Sequence, residues 1–194
     1  MSFAKHPFPK LPAAWLFIPV FFGSGLGAQA QDIDSVYTKI ILETCRSLAM
    51  ASEESTFGGS WSCDGYRGTP VSVAEGDLRM FVSFGPGAAK EPAVNQTLSG
   101  FNTIGETLEW RLRDGVAFAT ILRWHVSAQD GRNPGQVLVV TQLVPGATCQ
   151  IARVDAQANR NANALAREAA DRLAGNTSCE EPPKILGKAS DFVW

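Results

Sequence analysis

Four cysteines, Cys45, Cys63, Cys149 and Cys179, carry the most definite chemistry in this 194-residue chain. Paired thiols can form a disulfide, hold a metal or act as a redox centre. No Cys-x-x-Cys is present and no basic cluster flanks any of the four, which argues against a redox thiol with a lowered pKa. The closely spaced ligand pairs of a zinc site are also missing, so we expect no bound metal.

The first thirty residues decide between these chemistries, because they have the three parts of a secretory signal peptide. Lys5 and Lys10 form a positive segment, residues 11–27 are mostly apolar, and Ala28-Gln29-Ala30 is a small-x-small cleavage signal. The alternative is an uncleaved anchor, but Pro19 interrupts a run already shorter than the roughly 20 apolar residues of a spanning helix. We expect a periplasmic or secreted protein with no integral membrane segment after cleavage.

An oxidising compartment favours two disulfides over reduced thiols. Four cysteines permit three pairings, and sequence alone does not choose among them. Closure between cysteines near in sequence costs the least chain entropy, which favours Cys45 with Cys63 and Cys149 with Cys179.

Groups suited to nucleophilic catalysis are few in the predicted mature segment. Its one histidine, His125, lies beside Trp124 near a predicted strand end, and no Gly-x-Ser-x-Gly is present. The glycine-bearing segments 57–60 and 84–87 lack the following lysine of a phosphate-binding loop, so no cofactor is expected. An enzyme is therefore disfavoured.

Carboxylates leave one enzymatic alternative open, because two of them at a suitable separation are sufficient for glycoside hydrolysis. The spacing does not single out a pair. The candidates are Glu106, Glu109, Asp77 and Asp114.

Aromatic residues in predicted loops and at strand ends are the best candidates for recognition. Trp61, Tyr66 and Trp124, with Arg67 as a polar neighbour, could stack on a glycan or anchor a peptide or an envelope protein. The alternative is that these rings simply pack over a disulfide. Loss of Lys5 and Lys10 with the leader leaves 15 basic against 19 acidic residues, a net charge of about −4, which argues against nucleic acid as a partner.

Periodicity predicts the elements that hold these residues. Apolar residues recur at helical spacing over residues 32–51, which predicts an N-terminal helix, and the glycine-containing segment 52–68 is predicted as a loop. Three hairpins follow, with turns at Glu75-Gly76, Asp114-Gly115 and Pro145-Gly146. Segment 85–100, between the first two hairpins, is predicted as a long surface loop.

The Asp114-Gly115 pair suits a two-residue type I′ turn, and closing that turn fixes the expected register. The predicted core-facing pairs are Leu112 with Ala117, Trp110 with Ala119 and Leu108 with Ile121. Glu109 and Arg111 then lie on a mixed opposite face, which is either covered by a helix or exposed as a binding surface.

A second helix is predicted after Asp155, the expected N-cap, with an alanine-rich stripe ending at Gly175. The expected fold class is therefore α+β, an antiparallel sheet of about six strands in three hairpins, flanked by an N-terminal and a C-terminal helix. One disulfide-stabilised domain should span residues 31–180, followed by an irregular tail, 181–194. The expected function is a non-catalytic binding or structural module of the cell envelope, with an envelope hydrolase that uses paired carboxylates as the alternative.

Overall fold

The computed structural model describes residues 31–50, 57–128 and 134–194, together with Met1, Ser2 and Ala4. The predicted signal peptide otherwise lies outside the described residues. Within them the chain is mainly β, with ten strands and one α-helix. In chain order the elements are β1 (Ile33–Lys39), β2 (Arg46–Met50), β3 (Phe57–Asp64), β4 (Pro70–Gly76), β5 (Arg79–Phe84), β6 (Asn102–Arg113), β7 (Val116–Val126), β8 (Gly135–Gln142), β9 (Cys149–Asp155), α1 (Ala162–Leu173) and β10 (Lys184–Leu186).

The strands form two sheets. The larger sheet has the order β1-β6-β7-β8-β9-β10, in which only the short β10 pairs in parallel, with β9. The smaller sheet is antiparallel, with the order β2-β3-β4-β5. The six expected strands are present as β4–β9, but they are divided between two sheets that contain four further strands, so the expected single sheet is wrong.

Two hydrophobic cores lie on opposite faces of the larger sheet. One face packs against the smaller sheet around the fully buried Trp110 and Trp124. The other face packs against α1, whose buried side is formed by Ala162, Ala166, Ala169 and Ala170. Because alanine is small, α1 can lie close to the sheet, as its sequence indicated.

The predicted N-terminal helix is wrong: residues 33–50 form β1, a 3₁₀ turn at Leu42–Thr44 and β2. Some of the apolar side chains whose spacing predicts this helix are exposed: Tyr37 is 55% and Leu48 is 54% accessible. In β1 alternate residues face inward instead, and β1 pairs with β6 over its whole length. This long-range pairing overrides the local helical spacing.

The segment predicted as a loop over residues 52–68 is also partly wrong, because residues 57–64 form β3, a central strand of the smaller sheet. Its glycines disfavour a strand in isolation, yet β3 has a partner on each side. Gly59 has a positive φ of 156°, and the ladder is irregular at this point. Residues 51–56 lie outside the described part.

The three predicted hairpins are present, with one turn displaced. The β6–β7 turn is at Asp114-Gly115, where both φ values are positive (50° and 78°), as a type I′ turn requires. Gly146, with φ 79°, lies in the β8–β9 connection. The β4–β5 turn is at Asp77-Leu78 rather than Glu75-Gly76, because Gly76 still pairs with Arg79.

Two irregularities change the β6–β7 register. Next to the turn, Leu112 faces Ala117 as predicted, but Phe118 of β7 has no partner in β6. Arg111 therefore faces Ala119, and Trp110 faces Thr120. Since a slip of one residue exchanges the two faces of a strand, Ala119 lies on the helix side rather than beside Trp110. The same slip puts Ile121 on the helix side.

Segment 85–100 and the C-terminal tail are more ordered than predicted. Segment 85–100 contains two 3₁₀ turns, and Leu98 is fully buried. The buried Glu91 carboxylate accepts hydrogen bonds from the amides of Gly146 (2.8 Å) and Thr148 (2.9 Å), which ties this segment to the β8–β9 turn. The tail adds β10, and Val193 is buried in the core between the sheets.

The predicted C-terminal helix is present, but it begins later in the chain than predicted. The carboxylate of Asp155 does accept from the amides of Gln157 and Ala158, as a cap would. However, these bonds close a turn after β9, and α1 begins at Ala162. Its end is followed by Gly175 with φ 82°, as predicted.

Both disulfides have the favoured pairing, Cys45–Cys63 and Cys149–Cys179. The first joins Cys45, which directly precedes β2, to β3. The second joins β9 to the segment after α1 and holds the end of that helix against the larger sheet. Two disulfides are compatible with a periplasmic or extracellular protein.

Candidate functional site

The aromatic residues selected from the sequence do not form one open patch. Trp124 lies in the core between the sheets, 1% exposed, because its position in β7 faces the smaller sheet. The expectation of a surface ring at a strand end is therefore wrong for Trp124. A buried indole cannot stack on an external ligand.

Trp61 and Tyr66 are half-buried against the same core. Tyr66 packs at 6.4 Å from Trp110, and its hydroxyl donates to the Gly115 carbonyl. The exposed Arg67 lies over the Tyr66 ring at 5.1 Å. Most of this group is therefore engaged in packing, and a ligand-binding role for Trp61, Tyr66 and Arg67 stays a prediction.

The candidate carboxylates lie at three separate places. Asp77 pairs with Arg79 beside the β4–β5 turn, and Asp114 lies in the β6–β7 turn. Glu106 and Glu109 line a single cleft, although Glu106 is exposed and Glu109 is buried. The structure thus brings together one of the possible pairs.

This cleft forms where the β6–β7 ladder is interrupted. Ile104 faces Trp124 and Leu108 faces Leu122, so β6 has two more residues than β7 across this interval. The surplus lies in the segment Gly105–Thr107. Extra residues bend a strand and redirect its side chains, and bulges are frequent beside binding and active sites.

The bulge cleft, as we call it, lies between the helix side of β1, β6 and β7 and the first turns of α1. It has a volume of about 400 Å³, and its floor includes the buried Ile121 and Leu138. The exposed Tyr37 stands at the rim. The other lining residues are polar or small: Gly105, Glu106, Thr107, Glu109, Arg123, Asn163 and Arg167.

Hydrogen bonds fix one wall of the bulge cleft. Arg167 Nε donates to Glu109 Oε1 at 2.6 Å, and Arg167 Nη2 donates to the Tyr37 hydroxyl at 3.0 Å. Ser35 Oγ also donates to Glu109 Oε1, at 2.6 Å. The hydrogen bond to Glu109 is the main cause of a raised pKa for the Arg167 guanidinium. Tyr37 is therefore held in place by a permanently charged neighbour.

A second ion pair continues this wall towards the end of α1. Arg111 donates through Nε (2.9 Å) and Nη2 (2.7 Å) to the two oxygens of Asp171, and through Nη1 to Ser35. The two-point contact fixes the position of α1 on the sheet. The mixed face predicted around Glu109 and Arg111 is thus covered by α1 in part and open at the bulge cleft.

Other side chains of the bulge cleft remain accessible. Arg123 donates through Nη1 to the Gln136 side-chain oxygen at 3.0 Å. No described residue hydrogen-bonds to the carboxylate of Glu106, and Asn163 is exposed. These groups offer both donors and acceptors to a bound molecule. His125 lies close by, because a Cβ placed on Gly105 would be 3.7 Å from its Nε2.

Sequence reasoning did not identify the bulge cleft. The helical spacing over residues 32–51 predicts a buried position for Tyr37, and no sequence motif marks Arg123, Asn163 or Arg167 for recognition. Gly105 was the available signal, since glycine inside a strand pattern often marks a bulge or a close approach.

Neither a metal centre nor a membrane-crossing helix appears among residues 31–50, 57–128 and 134–194. These residues contain no group of three or more potential metal ligands from His, Cys, Asp and Glu. Their one α-helix is too short to cross a bilayer.

Comparisons of the chain with protein-family models, with curated proteins and with solved structures found no match.

Proposed function

We propose that this chain is an exported, non-catalytic binding module of the cell envelope, and that its ligand site is the bulge cleft. The observation that carries this proposal is the two-residue surplus in β6, which opens the sheet next to α1 and lines the opening with polar side chains. The volume of about 400 Å³ is within the range of roughly 300–1,000 Å³ that is typical of small-molecule sites, and most of the lining is polar rather than apolar. The ligand is a small polar molecule.

The engagement of Glu109 favours binding over hydrolysis. A carboxylate pair in a glycosidase needs one group that delivers a proton and a second that acts as base or nucleophile. Glu109 instead accepts hydrogen bonds on both oxygens, from Ser35 and from Arg167. This arrangement suits a positioning group in the wall of a binding site.

The hydrolase remains a second candidate, because Glu106 and Glu109 line the same cleft. It predicts turnover of a chromogenic glycoside that Glu106→Gln abolishes. The binding module predicts no turnover by the wild-type protein, even at ligand concentrations that saturate the cleft.

An NMR screen of the ¹⁵N-labelled, oxidised mature chain tests the proposed function. Sugars, amino acids, dipeptides and small organic acids are added in turn, and shifts of backbone amides are followed. At least one class should shift the amides of residues 105–107 and of Arg123 in a saturable way, and Tyr37→Ala should weaken the effect. Phe101→Ala removes a comparably exposed ring (51% against 55%) outside the cleft and serves as the matched control. Saturable shifts that map only elsewhere, or none with any class, would refute the proposal.

A further inference from the structure

We infer that the bulge cleft takes an uncharged carbohydrate of about two pyranose rings. This inference rests on the proposed function and specifies its ligand. Three features of the cleft point to this class: its balanced charge, its exposed aromatic rim and its planar polar side chains.

The charges of the bulge cleft balance. It contains two acidic residues, Glu106 and Glu109, and two basic residues, Arg123 and Arg167. Glu109 and Arg167 form an ion pair at 2.6 Å. A ligand with a net charge would therefore meet no excess of opposite charge among the lining residues. Lys39, whose Nζ donates to Thr107 Oγ1 at 3.0 Å, adds one positive charge at the edge of the cleft.

The rim and floor suit the apolar face of a sugar ring. Tyr37 presents an accessible ring whose hydroxyl is held by Arg167, so little conformational freedom is lost when a ligand stacks on it. Ile121 and Leu138, 4% and 3% exposed, line the same cleft and add a narrow apolar surface. A pyranose has C–H groups on one face that can pack on such surfaces, and its hydroxyls remain at the edge.

The polar side chains in the walls end in planar groups, each of which can make two parallel hydrogen bonds. The guanidinium of Arg123, the carboxylate of Glu106 and the amide of Asn163 can each engage two adjacent groups at once, a geometry that matches vicinal hydroxyls. Each hydroxyl both donates and accepts, so it can use the carboxylate and the guanidinium together. A cleft of about 400 Å³ holds a disaccharide more completely than a single ring.

Isothermal titration calorimetry with a panel of probes tests this inference. Cellobiose, maltose and N,N′-diacetylchitobiose are the neutral probes. Cellobiouronic acid and chitobiose are charged disaccharides of the same size, and D-alanyl-D-alanine is a zwitterion that is not a carbohydrate. We expect at least one neutral disaccharide to bind with one-to-one stoichiometry and at least tenfold more tightly than every charged probe.

Variants of Tyr37 separate stacking from other effects. Tyr37→Ala should weaken binding of the neutral disaccharide about fivefold, which corresponds to about 1 kcal/mol, the order of magnitude of an aromatic contact. Tyr37→Phe keeps the ring and should recover most of the affinity. Phe101→Ala should bind like the wild-type chain. Equal weakening by Tyr37→Ala and Phe101→Ala would contradict the stacking role.

The outcomes distinguish the inference from the proposed function. If D-alanyl-D-alanine binds in the cleft and no sugar does, the carbohydrate assignment is wrong and the binding module stands. If a charged sugar binds there and the neutral disaccharides do not, the inferred neutrality of the ligand is wrong and the binding module again stands. If no compound in this panel or in the NMR screen binds in the cleft, both are wrong.

Discussion

Replacement of Asp155 by asparagine should destabilise the fold strongly, because this carboxylate joins β9 to the C-terminal tail. Asp155 is 2% exposed. Its Oδ1 accepts from the amides of Gln157 (2.9 Å) and Ala158 (2.8 Å), and its Oδ2 accepts from the amide of Ser190 (3.2 Å) and from the Ser190 hydroxyl. The tail is thereby held against the larger sheet.

The magnitude follows from these four bonds. Asparagine keeps one acceptor oxygen, so two bonds persist but lose the contribution of the charge. Its nitrogen cannot accept, so the amide of Ser190 loses its partner, and an unsatisfied buried donor costs about 1–3 kcal/mol. The Ser190 hydroxyl can rotate and accept instead. The expected loss in the free energy of unfolding is about 2–4 kcal/mol at pH 7.

The pH dependence gives this prediction a second test. Burial opposes ionisation of Asp155, but the hydrogen bonds from Ser190, Ala158 and Gln157 outweigh it, so the pKa is lowered in the folded chain. An aspartate in the unfolded chain has a pKa of about 3.9. The stabilisation is therefore complete above that pH and is lost as the pH falls towards the lower folded pKa. The difference between wild type and Asp155→Asn should shrink below about pH 4.

Urea denaturation followed by tryptophan fluorescence measures both effects, since Trp110 and Trp124 are fully buried in the fold. Asp191→Asn, at a neighbouring exposed position, is the matched control and should change stability by less than about 0.5 kcal/mol. A loss below about 1 kcal/mol for Asp155→Asn at pH 7, or a loss independent of pH, would refute the role assigned to Asp155.

Two further stability predictions follow from the packing. Removal of the Cys149–Cys179 disulfide by double alanine substitution should lower the free energy of unfolding by about 3–4 kcal/mol, measured by urea denaturation. The two cysteines of this disulfide are 30 residues apart in sequence, against 18 for Cys45–Cys63. Because the longer loop loses more entropy when it is closed, removal of Cys149–Cys179 should cost about 0.5 kcal/mol more than removal of the other disulfide. A larger loss on removal of the other disulfide would contradict the loop-entropy estimate. Gly65→Ala should cost about 1–3 kcal/mol, because the new methyl group would lie 2.3 Å from Trp110 Cζ2, and the near-ultraviolet circular dichroism of that ring should change. Gly115→Ala, with no atom within 4 Å of the new methyl, should cost only the strain of its positive φ, about 1 kcal/mol, and leave that spectrum unchanged.

The parts of the fold that local chemistry determines were predictable. Asp114-Gly115 selects a type I′ turn whatever surrounds it, and the alanine-rich stripe of α1 indicates a helix packed closely on a sheet. The nearest-in-sequence rule also identified both disulfides, although Cys45 follows a 3₁₀ turn rather than a helix.

The parts that long-range pairing determines were not predictable. Ile33, Tyr37 and Ile41 have helical spacing, yet β1 forms because β6 offers it a partner. These three side chains are 37%, 55% and 37% exposed, so they do not form a buried helix face. The sequence predicts Trp124 as an aromatic residue at a strand end, but the smaller sheet packs over β7 and buries this side chain. No local pattern specifies that second sheet.

The bulge cleft could not be predicted either, because it too depends on long-range pairing. The bulge cleft depends on the difference in length between β6 and β7 and on where α1 crosses them. Insertion of two residues keeps Ile104 and Leu108 on the same face, so the apolar alternation resumes after the bulge, and only Gly105 and the charged Glu106 interrupt it in the sequence. Arg123 and Arg167 are far apart in sequence and share the cleft only after folding.

Intermolecular NOEs between a bound neutral disaccharide and the oxidised mature chain test most directly whether the bulge cleft is the ligand site. Ring protons of the sugar should show NOEs to the Tyr37 ring and to the methyl groups of Ile121 and Leu138. NOEs confined to Trp61 or Trp194 would place the ligand elsewhere and contradict the assignment of the bulge cleft.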